Sequence, residues 1–153
     1  MADVKISAIS SINADLFSLL LEADPSEEII RGYINRAYKF VAWLSDIPVG
    51  ILLLLDTHPN TVEIVNIAVS KDFRNQGIGS ALLGFSAEWA KGKKYKVIEI
   101  GTGSTSFEQL YLYQKFGFRP FSIDHDFFVK NYNQPIIENN LVLKDMIRLQ
   151  QYL

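Results

Sequence analysis

The segment Val69-Ser70-Lys71-Asp72-Phe73-Arg74-Asn75-Gln76-Gly77-Ile78-Gly79-Ser80 constrains the fold more than any other part of this chain. An apolar strand, Ile64 to Val69, runs into a polar turn with two glycines one residue apart. An amphipathic helix follows, with Ile78, Leu82, Phe85 and Trp89 at helical spacing on one face. The first N–H groups of such a helix have no intrahelical partner, and the helix dipole adds partial positive charge there. A turn of this kind can hold phosphate without a cluster of lysines.

Gly77 and Gly79 suit a backbone that needs positive φ or a close approach to a ligand. The spacing is not that of the Walker loop, because no Lys-Ser/Thr pair follows the last glycine. It is not the three-glycine dinucleotide fingerprint, and no acidic partner closes a following strand. Taken alone, two glycines also fit an ordinary strand-to-helix turn.

Arg74-Asn75-Gln76-Gly77-Ile78-Gly79 resembles the Gln/Arg-x-x-Gly-x-Gly/Ala motif of the GNAT acyltransferases. Leu112-Tyr113-Gln114-Lys115-Phe116-Gly117-Phe118 is similar to the Leu-Tyr-x-Lys-x-Gly-Phe segment of the same family. The order and separation of the two segments fit, and the resemblance runs from Val41 to Pro120. It implies an α+β fold with a mixed, mostly antiparallel sheet flanked by helices. It also implies acetyl-CoA as cosubstrate, its pyrophosphate on Arg74, Asn75, Gln76, Gly77, Ile78, Gly79 and Ser80. Asn75 departs from the commoner glycine after the arginine. The C-terminal pattern around Asp126-Phe127-Phe128, Tyr132 and Asp145-Met146-Ile147-Arg148 resembles an uncharacterised bacterial subgroup of the family.

The 153 residues suffice for one domain with a real core, expected to span 1–153. A net charge of −2 and the lack of a basic run argue against a nucleic-acid partner. There is no cysteine, which excludes disulfides, thiolate metal sites and a cysteine nucleophile. Met1 to Ser11 lacks a signal-peptide core, and Ile51 to Leu55 is too short to span a bilayer. A cytoplasmic enzyme without a membrane partner is the simplest reading.

Periodicity predicts strands at Val4–Ile9, Tyr38–Leu44, Val49–Leu55 and Thr61–Val69, the last three as an antiparallel meander. Turns are expected at Ser45–Pro48 and Asp56–Asn60. Helices are predicted at Ala14–Glu22, Ser26–Ala37, Gly77–Lys91 and Ser106–Phe116. The third helix should cross over to a parallel strand at Tyr95–Ile100. Gly101–Thr105 reads as a flexible turn, Phe118–Ile123 as a strand and Asp126–Tyr132 as a short helix or irregular lobe. Asn140–Gln150 reads as one last strand, with Val142, Lys144, Met146, Arg148 and Gln150 on one face.

Acetyl transfer to an amine needs a neutral nucleophile, a held thioester and a proton for the departing thiolate. Strict alternation places Glu63 on a face with Val65, Ile67 and Val69, where lost hydration would raise its pKa toward that of a general base. Its strand also resembles the base-bearing strand of histone-acetylating members. Bound water is the alternative base, and a solvated strand end is the non-catalytic reading of Glu63. By its place in the family segment, Tyr113 is the proton-donor candidate and a cofactor contact. Tyr113 and Tyr111 can equally be packing residues.

The resemblance further implies that Val69 offers backbone groups to the pantetheine arm, with Ile67 and Ala68 along its path. Asn66 is either a polar contact or a structural hydrogen bond. Ser106 stands where many members carry a cofactor-binding asparagine; a helix N-cap is its alternative role. His58 reads as a surface-turn residue, and His125 between Asp124 and Asp126 is too little for a metal site. No metal is expected.

The acceptor should be a small-molecule amine, flanked by the N-terminal helices and by Asp124–Glu138. Trp43, Phe127, Phe128 and Tyr132 are candidates for an aromatic wall, and Asp124 and Asp126 for attracting an ammonium. The competing readings are a protein or peptide N-acetyltransferase and a CoA-binding module without turnover. A homodimer is compatible with the resemblance.

Overall fold

The computed structural model describes residues 3–153. Met1 and Ala2, part of the N-terminal stretch read above as lacking a leader core, lie outside the described residues. In chain order the elements are β1 (Lys5–Ala8), α1 (Ala14–Ala23), α2 (Glu27–Tyr33), β2 (Tyr38–Leu44), β3 (Ile47–His58) and β4 (Thr61–Val69). A 3-10 turn at Lys71–Phe73 leads to α3 (Ile78–Gly92), β5 (Val97–Gly103), α4 (Phe107–Lys115) and β6 (Arg119–Asp124). The chain ends with α5 (Phe127–Asn131), β7 (Ile136–Glu138), β8 (Leu141–Leu143) and β9 (Met146–Tyr152).

Seven strands form one sheet in the order β1-β2-β3-β4-β5-β9-β6; β7 and β8 form a separate hairpin. Among the described residues only β4 and β5 pair in parallel, and α3 supplies their crossover. The meander and the parallel pair are those expected from periodicity, and the architecture is the mixed α+β sheet.

Each face of the sheet carries its own core. On one face Leu52, Leu54, Ile64 and Ile98 pack against Ile78, Leu82 and Leu83 of α3. On the other, Val41, Ile51 and Leu53 pack against Leu16, Leu19 and Leu20 of α1 and Ile30 of α2. The run Ile51–Leu54 is fully buried because β3 has a helical layer on both sides. The N-terminal helices start where their caps dictate. Asn13 accepts from the Leu16 amide at 2.9 Å and Ser26 from the Ile29 amide at 3.2 Å. Glu27 and Glu28 then sit in the first turn of α2, favoured by the dipole.

The expected turn Ser45–Pro48 shrinks to Ser45-Asp46 because β3 already begins at Ile47, and four larger differences from the sequence reading stand beside it. The second helix ends at Tyr33, not Ala37. The third strand continues to His58, so the expected turn shrinks to Pro59-Asn60, with Asn60 at φ 60°. Gly101–Gly103 is strand, not flexible turn, and pairs with Arg148–Met146. Glycine serves close packing there: a Cβ on Gly103 would lie 2.5 Å from Leu143 Cδ1. The last strand is broken at Lys144-Asp145, which separates β8 from β9. There the Lys144 carbonyl accepts from Phe128 N, and the Asp145 carbonyl accepts from Ser104 N. The break therefore anchors α5 and the β5–α4 loop instead of continuing a ladder.

Candidate active site

Beta-strand 4 is irregular at the point that organises the site. Leu53 pairs with Asn66 but Leu54 pairs with Ile64, so Val65 is an extra residue, a β-bulge. The bulge reverses the parity of the strand. Val62, Ile64, Ile67 and Val69 face the α3-side core, whereas Val65 and Ala68 face α1 and α2. Strict alternation therefore fails. Glu63 shares its face with Val65 but not with Ile67 or Val69.

Pairing between β4 and β5 ends at Ile64 and Ile100, although β4 runs on to Val69 and β5 to Gly103. Among the described residues, β4 beyond the bulge has a strand partner only on its β3 side. The two parallel strands thus splay apart, leaving an edge to which an extended ligand arm can add. Ile67, Ala68 and Val69 lie on this edge. At its end the Val69 carbonyl accepts from Arg74 Nε at 3.2 Å, and Arg74 Nη2 reaches Glu22 at 3.4 Å.

The glycine turn follows directly. Asn75 at φ 62° and Gly77 at φ 82° turn the chain into α3. The Ala81 amide makes the first helical bond, to the Gly77 carbonyl, so the N–H groups of Ile78, Gly79 and Ser80 have no partner within the helix. No side chain caps them from Gly77. The two glycines have different reasons to be glycine. Gly77 needs left-handed backbone. A Cβ on Gly79 would meet Leu112 Cδ2 at 3.8 Å and Val69 Cγ2 at 3.9 Å, ordinary contact distances. The same contact sets α4 beside the turn, so the two family segments converge in space.

Tyr113 follows Leu112 on α4 and points inward. It is 6% exposed and stacks edge-on against Phe118 at 6.3 Å, whereas Tyr111 is 67% exposed. Burial pushes the Tyr113 phenol well above its ordinary pKa, so it keeps its proton. Ser106 stands at the N-cap position of α4 but does not cap it; its hydroxyl donates to Glu138 Oε1 at 3.0 Å.

On the α1–α2 face of the sheet, Arg148 of β9 lies between two carboxylates. Its Nη1 is 3.9 Å from Glu63 Oε2, and its Nη2 donates to Asp124 Oδ2 at 3.2 Å. Its guanidinium carbon sits 5.8 Å from the centre of the Phe127 ring. Burial raises the Glu63 pKa; Arg148 opposes the rise, and Glu99, its in-register neighbour on β5, adds to it. Glu63 is therefore a desolvated carboxylate in an ion-pair cluster, not a solvated strand end.

Asp124 is committed to Arg148, which corrects its reading as an ammonium attractor. Asp126 is the left-handed residue before α5, and its amide donates to Asp145. Trp43 is also removed from the expected wall. It pairs with Lys5 near the opposite edge of the sheet and donates from Nε1 to Ser7 at 3.1 Å. Phe127, Phe128 and Tyr132 do cluster, with ring centroids 5.1–6.3 Å apart. His125 is exposed, with Nδ1 3.7 Å from Asp145.

Asn66 takes one of its two expected roles, and the linkage it starts through Tyr33 and Asp24 escaped the sequence reading. Asn66, 4% exposed beside the bulge, donates from Nδ2 to the Leu20 carbonyl at 3.1 Å and to Tyr33 Oη at 3.0 Å. Its role is thus a structural hydrogen bond. Tyr33 donates to Asp24 Oδ2 at 3.4 Å, and Tyr132 donates to Asp24 Oδ1 at 2.8 Å. The chain Asn66–Tyr33–Asp24–Tyr132 links the bulge, the α1–α2 turn and the end of α5. Burial raises the Asp24 pKa, against the hydrogen bonds from Tyr132, the Ser26 amide and Tyr33. Aspartate before a proline at a helix end reads only as turn chemistry, so nothing in the sequence marked it.

Two surface hollows lie elsewhere. One, of about 580 Å³, is lined by Lys5, Trp43 and Asp46; the other, of about 700 Å³, by Gln114, Phe121 and Ile147. Neither is lined by Glu63, Tyr113 or the glycine turn. Among the described residues no helix is long and apolar enough to cross a membrane.

Comparison with known proteins agrees with this geometry. Residues 7–118 match the model of the acetyltransferase (GNAT) family. The chain is 45% identical over 149 residues to the uncharacterized N-acetyltransferase YvbK of Bacillus subtilis (strain 168), covering 97% of this chain and 96% of that protein. A solved IAA acetyltransferase from Bacillus cereus ATCC 14579 superposes with a TM-score of 0.94 at 47% identity, over 99% of this chain and 100% of that one. A GNAT family acetyltransferase from Elizabethkingia anophelis, solved with acetyl-CoA bound, gives a TM-score of 0.94 at 42% identity over 98% of both chains. With the splayed strands, the glycine turn and the inward tyrosine in place, the chain belongs to the GNAT family and is an N-acetyltransferase.

Proposed function

We propose that this enzyme transfers the acetyl group of acetyl-CoA to a primary amine of a small molecule, by direct attack within a ternary complex in the cytoplasm. The observation that carries this reading is the splay of β4 from β5 at the Val65 bulge. It lies between the open N-terminus of α3 and the Glu63–Arg148 cluster. The acetyl-CoA-bound relative and the relative named as an IAA acetyltransferase support the donor and a small acceptor.

In this reading the pyrophosphate rests on the backbone N–H groups around Gly77–Ser80, and the pantetheine arm adds along Ile67–Val69. The thioester then lies at the splay, where holding two reactants in line supplies roughly 7–11 kcal/mol of rate acceleration. The amine nitrogen attacks the carbonyl carbon. The C–N bond forms, the C–S bond breaks, and the proton lost by nitrogen passes to Glu63, directly or through water. Arg148 lies beside the Glu63 carboxylate and favours its ionised form against the effect of burial. Tyr113, protonated because it is buried, donates to the departing thiolate.

The test is release of free CoA across a panel of small amines and peptides. CoA release with matched formation of N-acetylated small amine supports the proposal. Turnover confined to peptides assigns the enzyme a polypeptide acceptor instead. Acetyl-CoA binding with no turnover of any acceptor contradicts it.

A further inference from the structure

The chemistry above uses neither Asp24 nor the aromatic cluster beside it. Asp24 follows α1 and accepts three hydrogen bonds, all from neutral donors: Tyr132 Oη at 2.8 Å, the Ser26 amide at 3.2 Å and Tyr33 Oη at 3.4 Å. No cation lies within ion-pair distance of it among the described residues. Asp24 is half-buried, and a carboxylate withdrawn from water in this way gains from a matching positive charge. Two oxygens offer about four acceptor positions, so one remains open. Tyr132 also belongs to the ring cluster, 5.4 Å from Phe128 and 6.3 Å from Phe127. A carboxylate at the edge of several aromatic rings is a setting that takes organic ammonium groups.

The nitrogen that attacks the thioester must be neutral, so it cannot be the one held in an ion pair at Asp24. Asp24 is also set back from the bulge by the intervening Asn66 and Tyr33. Resting on the acetyl-transfer reading above, we infer that Asp24, with Tyr132 and Phe128, binds a second, positively charged group of the acceptor. The substrate class is then a diamine or polyamine acetylated at one end and anchored at the other.

The experiment compares α,ω-diamines with monoamines of equal chain length on the wild-type enzyme, over a graded series of lengths. The expected result is a KM at least about tenfold lower for the best diamine after correction for its two amino groups, the size of one charge-assisted contact. In Asp24→Asn that advantage disappears through KM, with kcat less affected. A merely structural Asp24 would raise both KM values together. Calorimetric titration of diamine into enzyme with CoA, where no acetyl group is available, reads binding without turnover. Equal KM values for the two amine classes on the wild type overturn the subsite and leave acetyl transfer standing, whatever the variant's stability. Diamine binding that Asp24→Asn abolishes, with no amine ever acetylated, retains the subsite and overturns the acetyl-transfer reading.

Discussion

Arg148 Nη1 stands 3.9 Å from Glu63 Oε2, so the candidate base of this enzyme shares its surroundings with a fixed positive charge. Burial raises the Glu63 pKa and Arg148 pulls it back. The ion pair thus opposes the rise that desolvation gives this carboxylate. In Arg148→Met the restraint is lost, and the Glu63 pKa rises further. The acidic limb of the kcat/KM profile should then move to higher pH, because the base is protonated over a wider range. A limb that stays in place would remove Arg148 from control of the base.

Glu63→Gln retains the shape and removes the basic charge. Activity at neutral pH should fall by roughly 10²-fold, and the acidic limb should flatten, while acetyl-CoA affinity is kept. An unaltered rate and profile on a good amine would pass the role to ordered water.

Tyr113→Phe should lower kcat by about 10–100-fold with little change in the KM for acetyl-CoA. Among the described residues the hydroxyl has no hydrogen-bonding partner, so its loss leaves the packing against Phe118 in place. Tyr111→Phe, at an exposed position, should be silent. Wild-type kcat in Tyr113→Phe would reduce that residue to packing.

The two glycines of the turn should respond differently. Gly77→Ala forces a Cβ into left-handed backbone, at a cost of about 1–2 kcal/mol, and should distort the amide cradle. Acetyl-CoA binding should weaken at least about tenfold. Gly79→Ala meets only ordinary contacts and should leave fold and binding nearly unchanged. Calorimetric titration of both variants with CoA checks this; equal behaviour would contradict the assignment.

Asn66→Ala removes the donor that joins the bulge to Leu20 and Tyr33. The buried Leu20 carbonyl then loses that bond, and stability should fall by about 1–3 kcal/mol. A lower urea midpoint at constant slope would show it.

Much of this fold was legible because its signals are local. The meander, the crossover helix and the glycine turn each follow from periodicity and turn chemistry within a few residues. What was not legible depends on single insertions and distant partners. The extra residue at Val65 leaves no compositional mark, yet it moves Glu63 away from the face of Ile67 and Val69. Tyr132 and Asp24 meet across 108 positions of sequence, so no spacing rule could join them. Trp43 and Phe127 are both aromatic, but Trp43 lies on β2 near one edge of the sheet and Phe127 opens α5, beside Arg148 of β9. The break at Lys144-Asp145 arises because those backbone groups serve α5 and the β5–α4 loop, a demand absent from the local pattern.

The central claim is direct transfer between two bound substrates, and mixing enzyme with acetyl-CoA in the presence and absence of amine tests it most directly. The account predicts no stoichiometric burst of CoA and no gain in protein mass without amine, and equal yields of CoA and N-acetylated amine when it is present. A CoA burst without amine, accompanied by one acetyl group added to the protein and later passed to the amine, would contradict it.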